Sequence, residues 1–105
     1  MWIRAAYWIG QPKPGAEQRF RDVINLEMVP AFSRMAGVLD VKALWPVRLE
    51  GSPPGIACQF LVEFDSREDL DQMLSSPGRL EFRPRVMELI EMFDGAVSHI
   101  DFEVS

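Results

Sequence analysis

Residues 56–64 read Ile56-Ala57-Cys58-Gln59-Phe60-Leu61-Val62-Glu63-Phe64, and Asp65-Ser66-Arg67-Glu68-Asp69-Leu70 follows directly. The first run sets Cys58, Phe60, Val62 and Phe64 at every second position, the period of a strand with one buried face. The second opens with residues able to cap a helix and puts Glu68 and Asp69 in the first turn, where the helix dipole favours negative charge. A strand therefore hands over to a short helix, whose apolar side is Leu70, Met73 and Leu74.

Upstream, Glu50-Gly51-Ser52-Pro53-Pro54-Gly55 is a loop that closes an expected strand over 38–49. Before that strand, Ala16 to about Met35 carries Phe20, Val23, Ile24, Met28, Ala31, Phe32 and Met35 at helical spacing. Pro30 should kink or divide this helix, and Gly37 should stop it. Ile3 to Gly10 is rich in aromatic and branched residues and reads as the first strand, closed by Gly10-Gln11-Pro12-Lys13-Pro14-Gly15. Downstream, Ser75-Ser76-Pro77-Gly78 breaks the chain before a longer helix over 80–93. That helix should bury Phe82, Val86, Leu89, Ile90 and Phe93, with Pro84 in its first turn. Asp94-Gly95 then turns into a last strand over 96–104.

The element order is strand, helix, strand, strand, helix, strand. With right-handed crossovers it predicts an α+β, ferredoxin-like βαββαβ domain: a four-stranded antiparallel sheet in the order 4-1-3-2 with helices on one face. All 105 residues belong to one domain.

The charge balance, 11 Lys and Arg against 16 Asp and Glu for a net −5, opposes nucleic acid as a partner. Arg79, Arg83 and Arg85 alternate with Glu81 and lead into Glu88 and Glu91, which reads as a solvated helix face. The lone Cys58 forbids an internal disulfide and fits a reducing compartment. Residues 1–9 are too short, and too interrupted by Arg4, for a membrane or signal segment. The expected location is cytoplasmic, with no membrane partner.

If helices cover one face of the sheet, the other is bare. Period-two alternation assigns Ile3, Ala5, Tyr7 and Ile9 to the helix side with Leu39, Val41, Ala43, Trp45, Ile100, Phe102 and Val104. The open face would then carry Arg4, Ala6, Trp8, Asp40, Lys42, Leu44, Gln59, Leu61, Glu63, Val97, His99, Asp101 and Glu103. An apolar cluster rimmed by polar groups marks an interface or a pocket. Two copies paired through these faces would form a dimeric α/β barrel whose lumen holds a small organic molecule. Arg4, Trp8, Leu44, Gln59, Leu61, Glu63 and Asp101 are its candidate contacts. The plainer alternative is a wet face on which Arg4 pairs with Glu63 or Asp101, worth about 0–1 kcal/mol.

The runs Phe64-Asp65-Ser66-Arg67-Glu68-Asp69-Leu70, Ser75-Ser76-Pro77-Gly78-Arg79 and Met92-Phe93-Asp94 resemble the EthD-like branch of the dimeric α/β barrel superfamily. Glu27-Met28-Val29-Pro30, ahead of Gly37-Val38, is similar to a further stretch of that branch, except that Met28 stands where the family usually has histidine. The resemblance implies the homodimeric barrel, and it implies that no proton-transfer role passes to position 28. The superfamily also includes cofactor-independent monooxygenases, haem-degrading proteins and stress-responsive proteins, so membership does not select a reaction.

His99 is the only histidine and the one side chain that titrates near neutrality, so it is the candidate catalytic base; a lone strand histidine is more often simply hydrogen-bonded structure. Cys58, central in a buried strand, should be an inert thiol. One histidine, one cysteine and no clustered carboxylates make a metal site improbable. Without a G-x-G-x-x-G, a phosphate loop or a G-x-S-x-G, no cofactor is expected. Three functions remain: a homodimeric protein binding a small molecule; a cofactor-free oxygenase or isomerase with His99 accepting a proton and Arg4 stabilising negative charge; and a structural oligomerisation module.

Overall fold

Strand β1 (Trp2–Pro12) runs through the middle of the sheet, antiparallel to both β3 (Ile56–Phe64) and β4 (Phe93–Glu103). β2 (Val38–Leu44) pairs with the far side of β3, giving the order β2-β3-β1-β4 in this computed structural model of residues 1–105. This is the antiparallel order expected from the sequence.

The helical layer begins with α1 (Glu17–Asp22), continues without a break through a wider π-helical segment (Val23–Met28) and resumes as α2 (Val29–Ser33). Pro30 explains the widening. It has no N–H, and its ring collides with a carbonyl four residues back in an ordinary α-helix. The Val29 N–H instead reaches five residues back to the Ile24 carbonyl. Phe20, Val23, Ile24, Met28, Phe32 and Met35 still lie on one buried stripe. After β3, Ser66 caps α3 (Arg67–Leu74), its hydroxyl accepting from the Asp69 N–H at 3.1 Å. Ser76 caps α4 (Pro77–Glu91) in the same way through the Arg79 N–H at 3.3 Å.

α4 starts earlier than its apolar spacing suggests. Pro77, not Pro84, takes the first turn, and Pro84 lies inside the helix, where it leaves the Leu80 carbonyl without its usual donor. β2 is shorter than expected because Pro46 cannot donate to a ladder. β1 and β4 are longer than expected because Gly10 faces Gly95 across them. A Cβ on Gly10 would strike the Asp94 carbonyl oxygen, and one on Gly95 the Ile9 carbonyl oxygen, while φ stands at +125° and +150°. Two glycines let the backbones meet there, so the run is a paired strand end and not a breaker.

The register decides which side chains meet the helices. Trp2, Arg4, Ala6 and Trp8 lie opposite Phe64, Val62, Phe60 and Cys58 on β3, and opposite Glu103, Asp101, His99 and Val97 on β4. Directly opposed residues share a face. All twelve therefore point toward the helices. This corrects the alternation assigned to β1 and β4: Arg4, Ala6, Trp8, Val97, His99, Asp101 and Glu103 are on the helix side. Ile3, Ala5, Tyr7, Ile9, Ile100 and Phe102 are on the open side. The assignments for β3 stand, as they do for β2 except at Leu39, which falls in a register shift between Val38 and Asp40 and is exposed.

Trp8 is 1% exposed and packs edge-to-face on Phe20 and Phe93 at centroid distances of 5.2 and 5.3 Å. Such pairs add to the burial of a large ring. Its indole N–H has no hydrogen-bond partner, so aromatic packing outweighs a lost hydrogen bond at this point. Trp45 also packs on this core from the end of β2, donating to Asn25 Oδ1 at 3.0 Å beneath the Arg21 guanidinium. No helix is long and apolar enough to cross a membrane.

We expect Trp8→Ala to lower unfolding free energy by about 3–5 kcal/mol in urea titrations. A loss within about 0.5 kcal/mol, typical of a surface position, would place Trp8 on the open face instead.

Candidate functional site

Between the helices and the sheet lies a cavity of about 290 Å³. Trp8, Phe60 and Val97 of the sheet, Met28 and Phe32 of the first helical run and Ile90 of α4 form much of its wall. Its only polar lining comes from Arg4, His99, Arg79 and Arg83. Arg4 and His99 are carried by β1 and β4. Arg79 and Arg83, four residues apart, share one face of α4 near its start. Along that face Val86 and Ile90 continue the lining. On β1 the lining likewise runs from Arg4 through Ala6 to Trp8. Basic and apolar ends of the cavity are thus set by position along the same elements.

Arg4 Nη1 donates to Asp101 Oδ1 at 2.9 Å, with the Asp101 side chain 39% and the Arg4 side chain 19% exposed, a contact worth about 0–1 kcal/mol. Of the two partners open to Arg4 in the sequence, Glu63 is excluded because it points to the other face. Arg79 Nη1 donates to the Leu74 carbonyl at 2.6 Å, which anchors one arm of its fork. Burial, then the charges of Arg4 and Arg83, pull the Arg79 pKa below the ordinary guanidinium value, though it stays protonated at neutral pH. No acidic side chain pairs with Arg79 or Arg83. The expectation of a solvated run of mixed charge holds for Arg85, which bonds Glu27 and Glu88 at 2.8 Å each. Arg83 is also exposed, yet it lines the cavity without an acidic partner, and for the half-buried Arg79 the expectation is corrected.

His99 stands at the rim, exposed to solvent on one side. The protein packed around its ring, then the charges of Arg4 and Arg79, lower its pKa, with Asp101 opposing weakly. At neutral pH its imidazole is mainly uncharged and can accept a proton or donate one hydrogen bond. Met28, buried in the wall, transfers no proton. Burial pushes the Cys58 thiol up to about 12, so it has almost no thiolate at neutral pH. No three His, Cys, Asp or Glu side chains gather where they could share a metal ion.

The structure thus brings Arg4, Trp8 and His99 together at the cavity, with Asp101 behind Arg4. It separates from them Leu44, Gln59, Leu61 and Glu63, which lie on the open face of β2 and β3. There Lys42 joins Asp40 at 2.7 Å and Glu63 at 3.3 Å. Arg79 and Arg83 were not among the sequence candidates. A signal was present, since their four-residue spacing leaves Glu81 and Glu88 off their face.

No family profile matches the sequence, and a search of curated proteins finds no match. Solved structures do match. An EthD family protein of Bacillus halodurans aligns over 100% of both chains at 18% identity and a TM-score of 0.76. The chain has the ferredoxin-like fold, which this EthD family protein shares. A dimeric ferredoxin-like protein from Jannaschia shares that fold at 16% identity and a TM-score of 0.73, over 99% of this chain and 100% of that one. SnoaB, a cofactor-independent oxygenase from Streptomyces nogalater, shares it at 16% identity and a TM-score of 0.63, over 98% and 90%. At identities this low, only the fold carries across.

We expect the His99 ring to titrate by NMR with a midpoint below the usual value of about 6.5. The unfolded chain then takes up this proton first, so stability is complete above about pH 6.5 and falls as pH drops toward the folded midpoint. His99→Gln should flatten that part of the profile. A midpoint at or above 6.5 would contradict the arrangement.

Proposed function

We propose that the chain is a homodimeric, EthD-like protein that binds a small organic molecule in the cavity between its helices and its sheet, not in the lumen between two sheets. The carrying observation is the separation of the two surfaces. The cavity joins an apolar wall to a few polar groups, the usual composition of a small-molecule site. The open face is different in kind. Its exposed Ile100 and Phe102, at 48% and 40%, continue the half-buried apolar surface of Ile3, Tyr7 and Leu61, and its ions Asp40, Lys42 and Glu63 are already paired within the chain. A copy of the same face can cover this surface without supplying countercharge. That the Jannaschia neighbour is dimeric supports a dimer.

Sedimentation at tens of micromolar should find a particle of twice the 12.0 kDa chain mass. Ile100→Glu should return it to the chain mass while preserving the circular dichroism of the wild type. A wild type that sediments as single chains would overturn the dimer.

Val97→Trp should fill the cavity and abolish binding of 2-naphthamide, followed by the indole N–H resonance of Trp8, without weakening the dimer. Undiminished binding in that variant would overturn the cavity as the ligand site.

A second reading, a cofactor-independent oxygenase or isomerase, is favoured by one observation: a mainly uncharged His99 at the cavity rim beside Arg4 and Arg79. There it could accept a proton from a bound substrate while a guanidinium holds the resulting negative charge. The SnoaB neighbour is an oxygenase of that kind. Loss of turnover in His99→Ala with unchanged melting would select this reading.

A further inference from the structure

All four polar side chains on the cavity wall are basic or can become so, in a chain whose net charge is −5. Acidic groups are abundant elsewhere, yet none lines this space. Asp101, just behind the wall, neutralises Arg4. Arg79 and Arg83 keep their charges unpaired, four residues apart on one helix face, where like charges repel. The Leu74 carbonyl holds one arm of the Arg79 fork and leaves its remaining donors without a protein partner. Such an arrangement weakens the empty protein and is relieved by an anion in the cavity. Beyond these groups the wall is apolar. At about 30 Å³ per water, 290 Å³ equals roughly ten waters, the scale of a one- or two-ring molecule.

We propose that the ligand is an organic acid, a small apolar and preferably aromatic body ending in one carboxylate, with Arg79 as the principal binding residue for that carboxylate and Arg83 beside it. The proposal rests on the cavity reading above and adds the charge of the ligand to it. A guanidinium fork matches the two oxygens of a carboxylate, which an ammonium would hold only as a point charge. The apolar body would extend toward Val97 and Trp8. His99 would face the carboxylate end, where its neutral imidazole donates one hydrogen bond.

The test uses 2-naphthoate and 2-naphthamide, nearly identical in shape and different in charge, titrated calorimetrically into the wild-type protein. We expect the acid to bind about tenfold or more tightly than the amide, the scale of a hydrogen bond to a charged group. Arg79→Gln should erase that preference and leave amide affinity unchanged, and Arg79→Lys should restore only part of it. If Arg79→Gln does not fold, Arg83→Gln, at an exposed position, should still reduce the preference severalfold. Equal affinity for the two probes would overturn the anion assignment and leave the cavity reading intact. Binding of neither would overturn both. A preference for the acid that survives both glutamine variants would remove the two arginines from the role.

Discussion

The pairing of β1 between β3 and β4 governs everything else in this molecule. β1 is central, so its phase fixes the content of both faces of the sheet at once. With Trp8 opposite Cys58 and Val97, the indole enters the aromatic cluster of Phe20 and Phe93, and Arg4 arrives beside Asp101 and His99. The facing glycines Gly10 and Gly95 extend the same ladder past Trp8. A slip of one residue would drive Tyr7 beneath the helices and push Arg4 into the apolar open face. Both moves are costly, because a large ring would lose its pocket and an ion its partner.

From that one register follow two surfaces of different composition. The helix side ends as a cavity, since β4 extends past the cover that α4 provides and leaves His99 at the rim. The open side ends as a continuous apolar sheet face whose few charges already satisfy one another. Met28, inside the cavity wall, moves no proton, so proton chemistry at the cavity would depend on His99 alone.

Much of the architecture was legible in the residues. β3 announced its face because Gln59 and Glu63 alternate with Cys58, Phe60, Val62 and Phe64. Asp65-Ser66 announced the start of α3, whereas Ser76 was read as part of a break and not as the cap of α4. The phase of β1 was not legible, because apart from Arg4 every residue from Trp2 to Ile9 is apolar, and a period of two needs contrast. β4 did show contrast, but it pointed the wrong way. Ile100 and Phe102 alternate with His99, Asp101 and Glu103, and apolar was equated with helix-covered, whereas on this edge strand the polar residues face the cavity side. Arg79 and Arg83 were hidden in a mixed-charge run whose third arginine, Arg85, really is a solvated ion-pair partner. Only the placement of α4 over the sheet separates the three.

The register itself can be observed in solution through nuclear Overhauser contacts of the Trp8 indole ring. The account predicts cross-peaks from that ring to the aromatic protons of Phe20 and Phe93, with none to Leu61. Cross-peaks to Leu61 and Leu44 in place of the two phenylalanines would contradict it, and with it the division between an inner cavity and an outer apolar face.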